Sequence, residues 1–473
     1  MIRTLLLRRS ATLAVAAFLS ACTAGPDFER PASIASQHYD LQAEQQLAGG
    51  TQRISFARRM DGDWWSSLGS AKLDGVMHQA IDGNLDLFAA DATIAQANEL
   101  VAVARGGLRP QLDFGAQGGG QRAGGATSGF YAVGPRVSFD FDLFGGTRWS
   151  IEERAALADL QRHRFDAAWL TLTGDVASQA MLLASARAQI DAVQALLADD
   201  RRNLELVGRA HRYGSATQVD VSLAATQLAQ DETLLPPLAQ QRDTARHALS
   251  VLAGRGPADW MPPDFDLSDF TLPAELPVSL PSELAHDRPD ILQAEAELHA
   301  ASGAIGVATA DLYPHLQLSA SLGAAGPGIG SIWGVAAGLT GPIFHGGSLK
   351  ANRRAAVDGY KASLAGYRQT IVRSLGQVAD LLQAIAHDAE EYAAQERALA
   401  AAEANLRLNR AGFRAGEIGV LHVLDAERAY QRALLGRIRA RTARYLDTVQ
   451  LFVALGGNAV GAHARRATPD DAR

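Results

Sequence analysis

Two stretches of the chain resemble each other and decide its fold. Residues 84–110 read NLDLFAADATIAQANELVAVARGGLRP, and residues 288–314 read RPDILQAEAELHAASGAIGVATADLYP. When the second is laid on the first, alanines coincide at intervals of seven residues, and both stretches end in a proline that stops a helix. The sequence therefore predicts an internal two-fold repeat, in which a helix, a strand pair, a Gly-Gly turn and a long alanine-rich helical stretch occur twice.

The repeat sets the predicted domain boundaries. We expect a leader at 1–21, an N-terminal segment at 22–70, a first repeat at 71–270 and a second at 271–473. Apolar spacing also predicts one helix from Lys72 to Gly106. Alternation and helical spacing place strands at about 110–144 and 315–344 and helices at about 148–253 and 348–457, with a disordered C-terminal tail after them.

The leader carries a lipoprotein signal. Three arginines precede an apolar run from Ala11 to Leu19, and Ser20, Ala21 and Cys22 follow. This pattern predicts a signal peptide cut before Cys22, the single cysteine of the chain, which would then carry diacylglycerol and palmitate. A buried structural cysteine is the alternative. Because Thr23 rather than an aspartate follows, we expect the anchor to lie in the outer membrane of a Gram-negative bacterium.

Two strand pairs have one apolar face each. In the first pair Leu112 and Phe114 alternate with Gln111 and Asp113, and the second pair repeats the alternation. Strands of about ten residues with this period are typical of an outer-membrane barrel, and the edge of a soluble sandwich is the alternative. The acidic members of the polar face are predicted to line the barrel lumen: Asp113, Asp140 and Asp142.

Four strands cannot close a barrel. A spanning barrel needs about eight strands or more, because every backbone group in lipid must find a partner. Three copies of the chain would supply twelve strands. The predicted fold class is therefore an α+β membrane protein in which each protomer contributes four strands to an oligomeric β-barrel, a 12-stranded barrel if the oligomer is trimeric.

The alanine-rich stretches predict helices too long for a globule. Residues 148–208 lack proline, and as one helix they would span about 90 Å at 1.5 Å per residue. Each long helix is followed by a returning one, broken in the first repeat at Pro236 and Pro237. Small residues at helical intervals favour close lateral packing, so we expect antiparallel helical hairpins packed side by side as a wall. An ordinary long coiled coil is the alternative.

The two turns that join the long helices to the returning ones also correspond. Gly214 falls on Gly416 and Asp220 on His422, and Asp425 lies one helical turn beyond His422. One interpretation makes these side chains solvated capping pairs of small energetic weight. The other makes each residue a threefold ring, and acidic rings at a constriction act on cations and close pores.

Several classes of function lack their signatures. The net charge is −7, without the basic patch that nucleic acid requires. None of the three lysines follows a glycine as in a phosphate-binding loop, and the twelve histidines lack metal-ligand spacing. No nucleophile elbow occurs, so neither an enzyme nor a cofactor is predicted.

In this order the features resemble the outer membrane factor family, the TolC-like exit ducts, and its lipoprotein branch of the OprM and NodT type. The resemblance covers nearly the whole mature chain. It is carried by the lipobox at Cys22, the run Arg288-Pro289-Asp290-Ile291, the pair Tyr313-Pro314, the run Gly341-Pro342-Ile343-Phe344 before Gly346-Gly347, and Gly416 with Val423-Leu424-Asp425-Ala426.

The resemblance implies a homotrimer with a 12-stranded barrel and a twelve-helix periplasmic tunnel. It also implies a periplasmic adaptor protein and an inner-membrane pump of the RND type as partners. Gate residues are carried over by position: Asp220 and Asp425 match acidic gate positions, Phe413 lies where a tyrosine tether can occur, His422 replaces an aspartate, Arg414 is a candidate ionic partner, and Gly214 and Gly416 mark the hinge and adaptor contact.

The predicted function is a passive exit duct that conducts small molecules, expected to be drugs or toxic amphipathic compounds, from adaptor and pump to the exterior. The alternatives are a helical periplasmic scaffold lipoprotein without a channel and a type I secretion duct. His422 adds a hypothesis of its own, because an imidazole titrates near pH 6 to 7 and could make closure depend on pH.

Overall fold

The computed structural model describes residues 24–32, 36–48, 50–56, 63–123, 126–326 and 330–463. The predicted signal peptide, Cys22 and the predicted tail lie outside these residues. The chain divides into two compact units. The strand unit comprises Ala90–Arg164 and Asp290–Thr370 with the N-terminal segment up to Ala32, and the helical unit comprises Ser33–Ala89, Phe165–Pro289 and Ile371–Arg473.

Helices and strands follow the predicted order. The helices are α1 Leu41–Ala48, α2 Ala71–Gly83, α3 Leu85–Gly106, α4 Gly146–Arg212, α5 Gln218–Glu232, α6 Leu235–Leu252, α7 Pro281–Asp287, α8 Pro289–Ala310, α9 Ser348–Ala415 and α10 Val420–Ala454. The strands are β1 Arg53–Ser55, β2 Gln111–Ala123, β3 Ala126–Phe141, β4 Glu275–Pro277, β5 His315–Gly326 and β6 Gly330–Thr340. None of the described helices carries an apolar stretch long enough to cross a membrane.

Four strands of the strand unit form one antiparallel sheet in the order β2-β3-β5-β6. Its register sorts the side chains into rows, because residues paired across strands share a face. One row is apolar and contains Leu112, Val137, Ala320 and Val335. The next row along the strands is polar or small and contains Asp113, Arg136, Ser321 and Gly334. The predicted strand pairs are confirmed.

The first strand pair is longer at its glycine-rich end than the sequence indicates. Glycines from 118 to 129 predict a mobile turn, but β2 continues to Ala123 and β3 begins at Ala126. Glycine is required where β3 approaches β5, because a Cβ at Gly134 would lie 2.0 Å from the carbonyl oxygen of Leu322. Gly134 therefore permits close strand contact, and the described glycines from 118 to 129 lie in strands rather than in a long loop.

The two long helices contain 67 residues in α4 and 68 residues in α9, so both predicted helical stretches are confirmed. One predicted helix is broken. Asn84 adopts an extended conformation between α2 and α3, where its side-chain oxygen accepts from the N–H of Leu87 at 3.0 Å. Its amide also donates to the carbonyl of Leu252 at 3.0 Å. At the corresponding place in the second repeat, Arg288 adopts an extended conformation and separates α7 from α8.

The core of the helical unit contains two buried indoles. Trp64 and Trp65 lie in a short 3₁₀ helix and are 2% and 1% exposed. The indole nitrogen of Trp64 donates to the hydroxyl of Thr173 at 3.3 Å, and that of Trp65 donates to Asp74 at 3.0 Å. Nearby in the chain, β1 pairs in parallel with β4, a contact that the sequence did not predict.

Candidate gate at the helix turns

Both helix turns have the same backbone conformation. Gly214 follows α4 and Gly416 follows α9, each with a φ of 77°. The N–H of Ser215 donates to the carbonyl of Ala210 at 2.9 Å, and the N–H of Glu417 donates to that of Gly412 at 2.9 Å. This is the Schellman motif, which ends a helix on a left-handed residue and so favours glycine. The predicted correspondence of the two turns therefore extends to their hydrogen bonds.

The first returning helix begins with a reciprocal cap. The N–H of Thr217 donates to the carboxylate of Asp220 at 2.8 Å, and the N–H of Asp220 donates to the hydroxyl of Thr217 at 3.2 Å. Together they form a capping box, which satisfies two otherwise unpaired backbone donors. The backbone N–H of Thr217, and then its hydroxyl, hold the pKa of Asp220 below its ordinary value. Asp220 therefore carries a half-buried negative charge at the start of α5.

The second returning helix lacks that cap. Gly419 occupies the capping position of α10 and supplies no side chain, and His422 occupies the place that Asp220 has in α5. Both members of the capping box have therefore been replaced. His422 is exposed in the protomer.

A small apolar cluster joins the two turns. Val207 of α4 and Val420 and Leu424 of α10 are buried, and Phe413 of α9 packs against them together with Ala216, Val221 and Leu223. All four helices that meet at the turns contribute to this cluster. The aromatic ring of Phe413 therefore packs into this cluster, as the ring of a tyrosine at this position would.

The remaining predicted gate residues make local contacts. Arg428 donates to Asp425 at 3.3 Å, and the side chain of Asp425 is 72% exposed. Arg414 is exposed and donates from its Nε to the carbonyl of Arg410 at 3.1 Å. The side chains of Asp425 and His422 are therefore exposed enough to contact a neighbouring molecule.

A buried polar cluster lies beside the apolar one, and the sequence did not predict it. We define the polar cluster as Asp199, Asp200, Asn203, Asp231, Arg410 and Glu427. Asn203 donates to both carboxylate oxygens of Glu427 at 2.8 Å, and Arg410 donates to Glu427 at 3.0 Å and to Asp199 at 2.5 Å. Glu427 is 1% exposed, so these donors compensate a carboxylate that has lost its water.

Two carboxyl groups of the polar cluster face each other. Asp200 is 2% exposed and Asp231 is 6% exposed. The amide of Gln227 donates to Asp231 at 2.5 Å, whereas no donor group among the described residues reaches either oxygen of Asp200. Burial raises the pKa of Asp200 to about 8, and hydrogen bonding to Asp231 and the charges of Asp231, Glu427 and Asp199 contribute.

A signal for this cluster was present in the sequence. Glu427 follows Val420, Val423 and Leu424 at the helical intervals of one buried stripe. Asp200 likewise lies on a stripe with Val193, Leu197 and Val207, which are buried. A charged residue inside an apolar stripe predicts a buried polar partner, although the stripe does not say which one.

The three acidic residues predicted for the lumen differ in their surroundings. Asp113 lies opposite Arg136 on the neighbouring strand, and Asp140 lies opposite Gln317. Asp142 lies beyond the end of β3, where its carboxylate accepts from the N–H of Thr147 at 2.9 Å and from that of Arg148 at 3.0 Å. Asp142 therefore caps the start of α4.

The N-terminal segment makes several contacts within the strand unit. The N–H of Ala24 donates to the carbonyl of Phe144 at 3.1 Å, just after the end of β3. Arg30 pairs with Glu295 at 2.6 Å, and the ring of Phe28 stacks on His299 at 4.3 Å. The first described residues are thus fixed beside the sheet.

Solved outer-membrane channels share this fold. The structure of the outer-membrane channel OprN superposes with a TM-score of 0.85 at 26% sequence identity, covering 92% of this chain and 99% of that one. A sheet of four antiparallel strands followed by helices of this length therefore defines a transport channel of the TolC-like class.

Sequence comparison gives the family. The sequence model of the outer membrane efflux protein family matches residues 76–255 and 280–457, and the chain belongs to that family. The pyoverdine export outer membrane protein OpmQ of Pseudomonas aeruginosa is 30% identical over 431 residues, which are 87% of this chain and 90% of that protein. The cation efflux system protein CusC of Escherichia coli K12 is 26% identical over 456 residues, or 94% and 98% of the two chains.

The predicted function is confirmed at the level of the family. The protein is an outer membrane efflux channel of the kind that works in tripartite pumps. Members of the family are transport channels rather than enzymes.

Proposed function

We propose that three copies of this chain form one passive exit duct across the outer membrane. The observation that carries the proposal is the open four-stranded sheet. Among the described strands, β2 and β6 each have a single neighbour, so each leaves one edge unpaired. An unpaired edge cannot persist in lipid, because no water is there to bond its backbone groups. Three sheets joined edge to edge give a barrel of twelve strands without a free edge.

The alternating rows of the sheet fit this assembly. Apolar side chains that would face lipid are widely exposed in the protomer, with Leu112 at 71% and Val335 at 74%. The row of Asp113 would face water in the lumen, where Arg136 offsets its charge. The helices α4, α5 with α6, α9 and α10 of three copies would supply the walls of a periplasmic α-barrel. We regard the recurring order of helices and strands as an internal repeat.

The N-terminal segment supports a lipid anchor on Cys22. Cys22 precedes Ala24 by two residues, which span at most about 7 Å. Ala24 is hydrogen-bonded next to the end of β3, where the proposed barrel would meet the periplasm. A lipid on Cys22 would therefore reach the inner leaflet of the outer membrane without additional chain. A single lipidated end anchors modestly, and the barrel would supply the remaining attachment.

The helix turns are the proposed gate and the proposed contact for a periplasmic adaptor. His422 and Asp425 are exposed in the protomer and Asp220 is half-buried, and in a trimer each would recur as a ring. Gly214 and Gly416 would absorb the backbone change when the helix pairs move apart. Energy for transport would come from an inner-membrane pump coupled through the adaptor. The duct itself needs neither a cofactor nor a reaction.

The cargo is proposed to be set by the pump. OpmQ is named for pyoverdine export and CusC for cation efflux, so related ducts serve different cargoes. We propose small molecules, with drugs and toxic amphipathic compounds as the first to test. Deletion of the gene, followed by a comparison of compound retention with and without a plasmid copy, would identify them.

Edge pairing provides the test of the trimer. Asp113→Cys on β2 is combined with cysteines that scan β6, and the membranes are oxidised and separated on non-reducing gels. A covalent trimer is expected for one register of β6 and not for the Asp113→Cys variant alone. The same preparation should give stepwise conductance in planar bilayers. A protein that forms neither a cross-linked trimer nor a conducting pore would overturn the duct.

A further inference from the structure

The carboxyl groups of Asp200 and Asp231 connect the two helices of the first hairpin. Asp200 belongs to α4 and Asp231 to α5, and both are more than nine-tenths buried. In the part of the chain that the structure describes, no group donates a hydrogen bond to either oxygen of Asp200. Two carboxylates in contact repel each other, and a proton on one of them converts the repulsion into a hydrogen bond.

The charged groups around this pair do not neutralise it. Asp199 of α4 and Glu427 of α10 add negative charge. The guanidinium of Arg410, from α9, is bonded to Asp199 and Glu427. Arg428 of α10 donates to the side chain of Gln227 and to Asp425. Arg201 of α4 pairs with Glu232 of α5 at 3.1 Å, on the exposed side of the same helices.

The surroundings of Asp200 favour a proton on its carboxyl group. Burial, the hydrogen bond to Asp231 and three neighbouring acids all favour the neutral form of Asp200, and its pKa rises to about 8. At neutral pH the Asp200 carboxyl group therefore favours its protonated form.

We propose that the packing of α4 against α5 holds one proton between Asp200 and Asp231, and that loss of this proton loosens the hairpin beside the gate. The duct would then open more readily as the periplasm becomes alkaline. The effect of the proton on opening rests on the proposed gate, whereas the presence of the proton does not depend on the gate. The structure assigns pH dependence of opening to this pair, and the His422→Ala variant tests the imidazole separately.

The direction follows from proton linkage. The pKa of Asp200 is raised in the packed hairpin, so the packed form binds more protons than a loosened one. Stability from this source is fully present below about pH 4 and is lost as the pH rises through about 8. If opening releases one proton, the ratio of open to closed ducts rises up to about tenfold per pH unit between about pH 5 and pH 7, and it levels off above about pH 8.

Asp200→Asn is the informative variant, because an amide can donate to Asp231 without a titrating proton. The matched control is Asp191→Asn, an exposed acid on the same helix. Single-channel opening is recorded from pH 6 to 9.5 for the purified trimer. Opening of the native protein and of Asp191→Asn should increase with pH, while Asp200→Asn should show a flat profile. An unchanged profile in Asp200→Asn, or a profile abolished by His422→Ala, would overturn the proposal.

The proton is tested separately by infrared spectroscopy of the folded protein. The native protein at pH 7 should show the C=O stretch of a protonated carboxyl, which fades as the pH rises above 8 and is missing in Asp200→Asn and in Asp231→Asn. That band in a protein without conductance would refute the duct and retain the shared proton. Its absence from a conducting native protein would refute the proton.

Discussion

Asn203 of α4 donates to both carboxylate oxygens of Glu427 on α10, at 2.8 Å to each. The amide thereby spans two hairpins and leaves Glu427 with Arg410 as its cationic partner. We expect Arg410→Ala to destabilise the helical unit by about 2–3 kcal/mol, because it leaves a buried carboxylate without a countercharge. The value lies below that of a fully buried pair because the Arg410 side chain is 36% exposed. Heat dissociation of the purified trimer measures the loss.

Arg407→Ala is the control for this variant. Arg407 lies one helical turn earlier on α9 and is exposed. Its removal should change stability by less than about 0.5 kcal/mol. Equal losses in the two variants would show that Arg410 contributes through its packing rather than through Glu427.

The two turns offer an exchange of caps. The backbone at Gly419 has φ −78° and ψ 162°, close to the φ −90° and ψ 162° of Thr217. The double variant Gly419→Thr with His422→Asp should therefore form a capping box on α10 and stabilise it by about 1 kcal/mol. Hydrogen exchange of the first turn of α10 measures the gain, and protection no greater than in the native protein would contradict it.

The left-handed glycines should respond differently from a helical one. A Cβ at Gly214 would meet no atom within 4 Å, so Gly214→Ala is penalised only by its φ of 77°. We expect a loss of about 1–2 kcal/mol. Gly208 lies inside α4. Gly208→Ala should instead stabilise the protein by about 0.5–1 kcal/mol, since its Cβ would meet only the tip of Arg212 at 4.0 Å. Opposite signs in thermal unfolding are the expected result.

Asp425 tests the gate directly. Its carboxylate is 72% exposed, and the guanidinium of Arg428 on the same helix lies 3.3 Å away. Asp425→Ala should leave trimer stability within about 0.5 kcal/mol of the native value, because exposed pairs contribute little. If its ring closes the duct, the variant should admit antibiotics too large for porins. Cells that exclude these antibiotics as well as the native strain would remove Asp425 from the gate.

The parts of the fold that depend on local signals could be predicted from the sequence. Strand alternation around Leu112, the Gly-Gly turns and the prolines at 236 and 237 all act within a few residues. The break at Asn84 could not be predicted, because its amide bonds to Leu252, far along the chain. The pairing of β1 with β4 joins two strands of three residues each, which leave too short a pattern to detect.

The candidate site likewise contains features that the sequence predicts and features that it does not. The turns at Gly214 and Gly416 could be predicted because the two repeats correspond there, and the left-handed backbone of both residues explains why each is a glycine. The polar cluster was missed because four helices assemble it, and the partner of Glu427 is 224 positions away. The replacement of Asp220 by His422 was visible in the sequence. Its physical meaning, the loss of a capping box, became clear only with Gly419 in place.

A second carboxyl pair makes the stability of the other hairpin depend on pH. Asp388 of α9 lies beside Asp447 of α10, and burial, followed by the charge of Asp447, raises the pKa of Asp388 to about 7. The packed form therefore retains a proton, and stability from this source is lost as the pH rises from about 4 through about 7. Asp388→Asn should match the native protein at pH 4 and exceed it at pH 8 by about 0.5–1 kcal/mol, because both groups are partly exposed. Thermal unfolding at the two pH values measures the difference. Asp380→Asn, an exposed acid on the same helix, should follow the native protein at both, and a gain for Asp388→Asn at pH 4 as large as at pH 8 would reject the titrating pair.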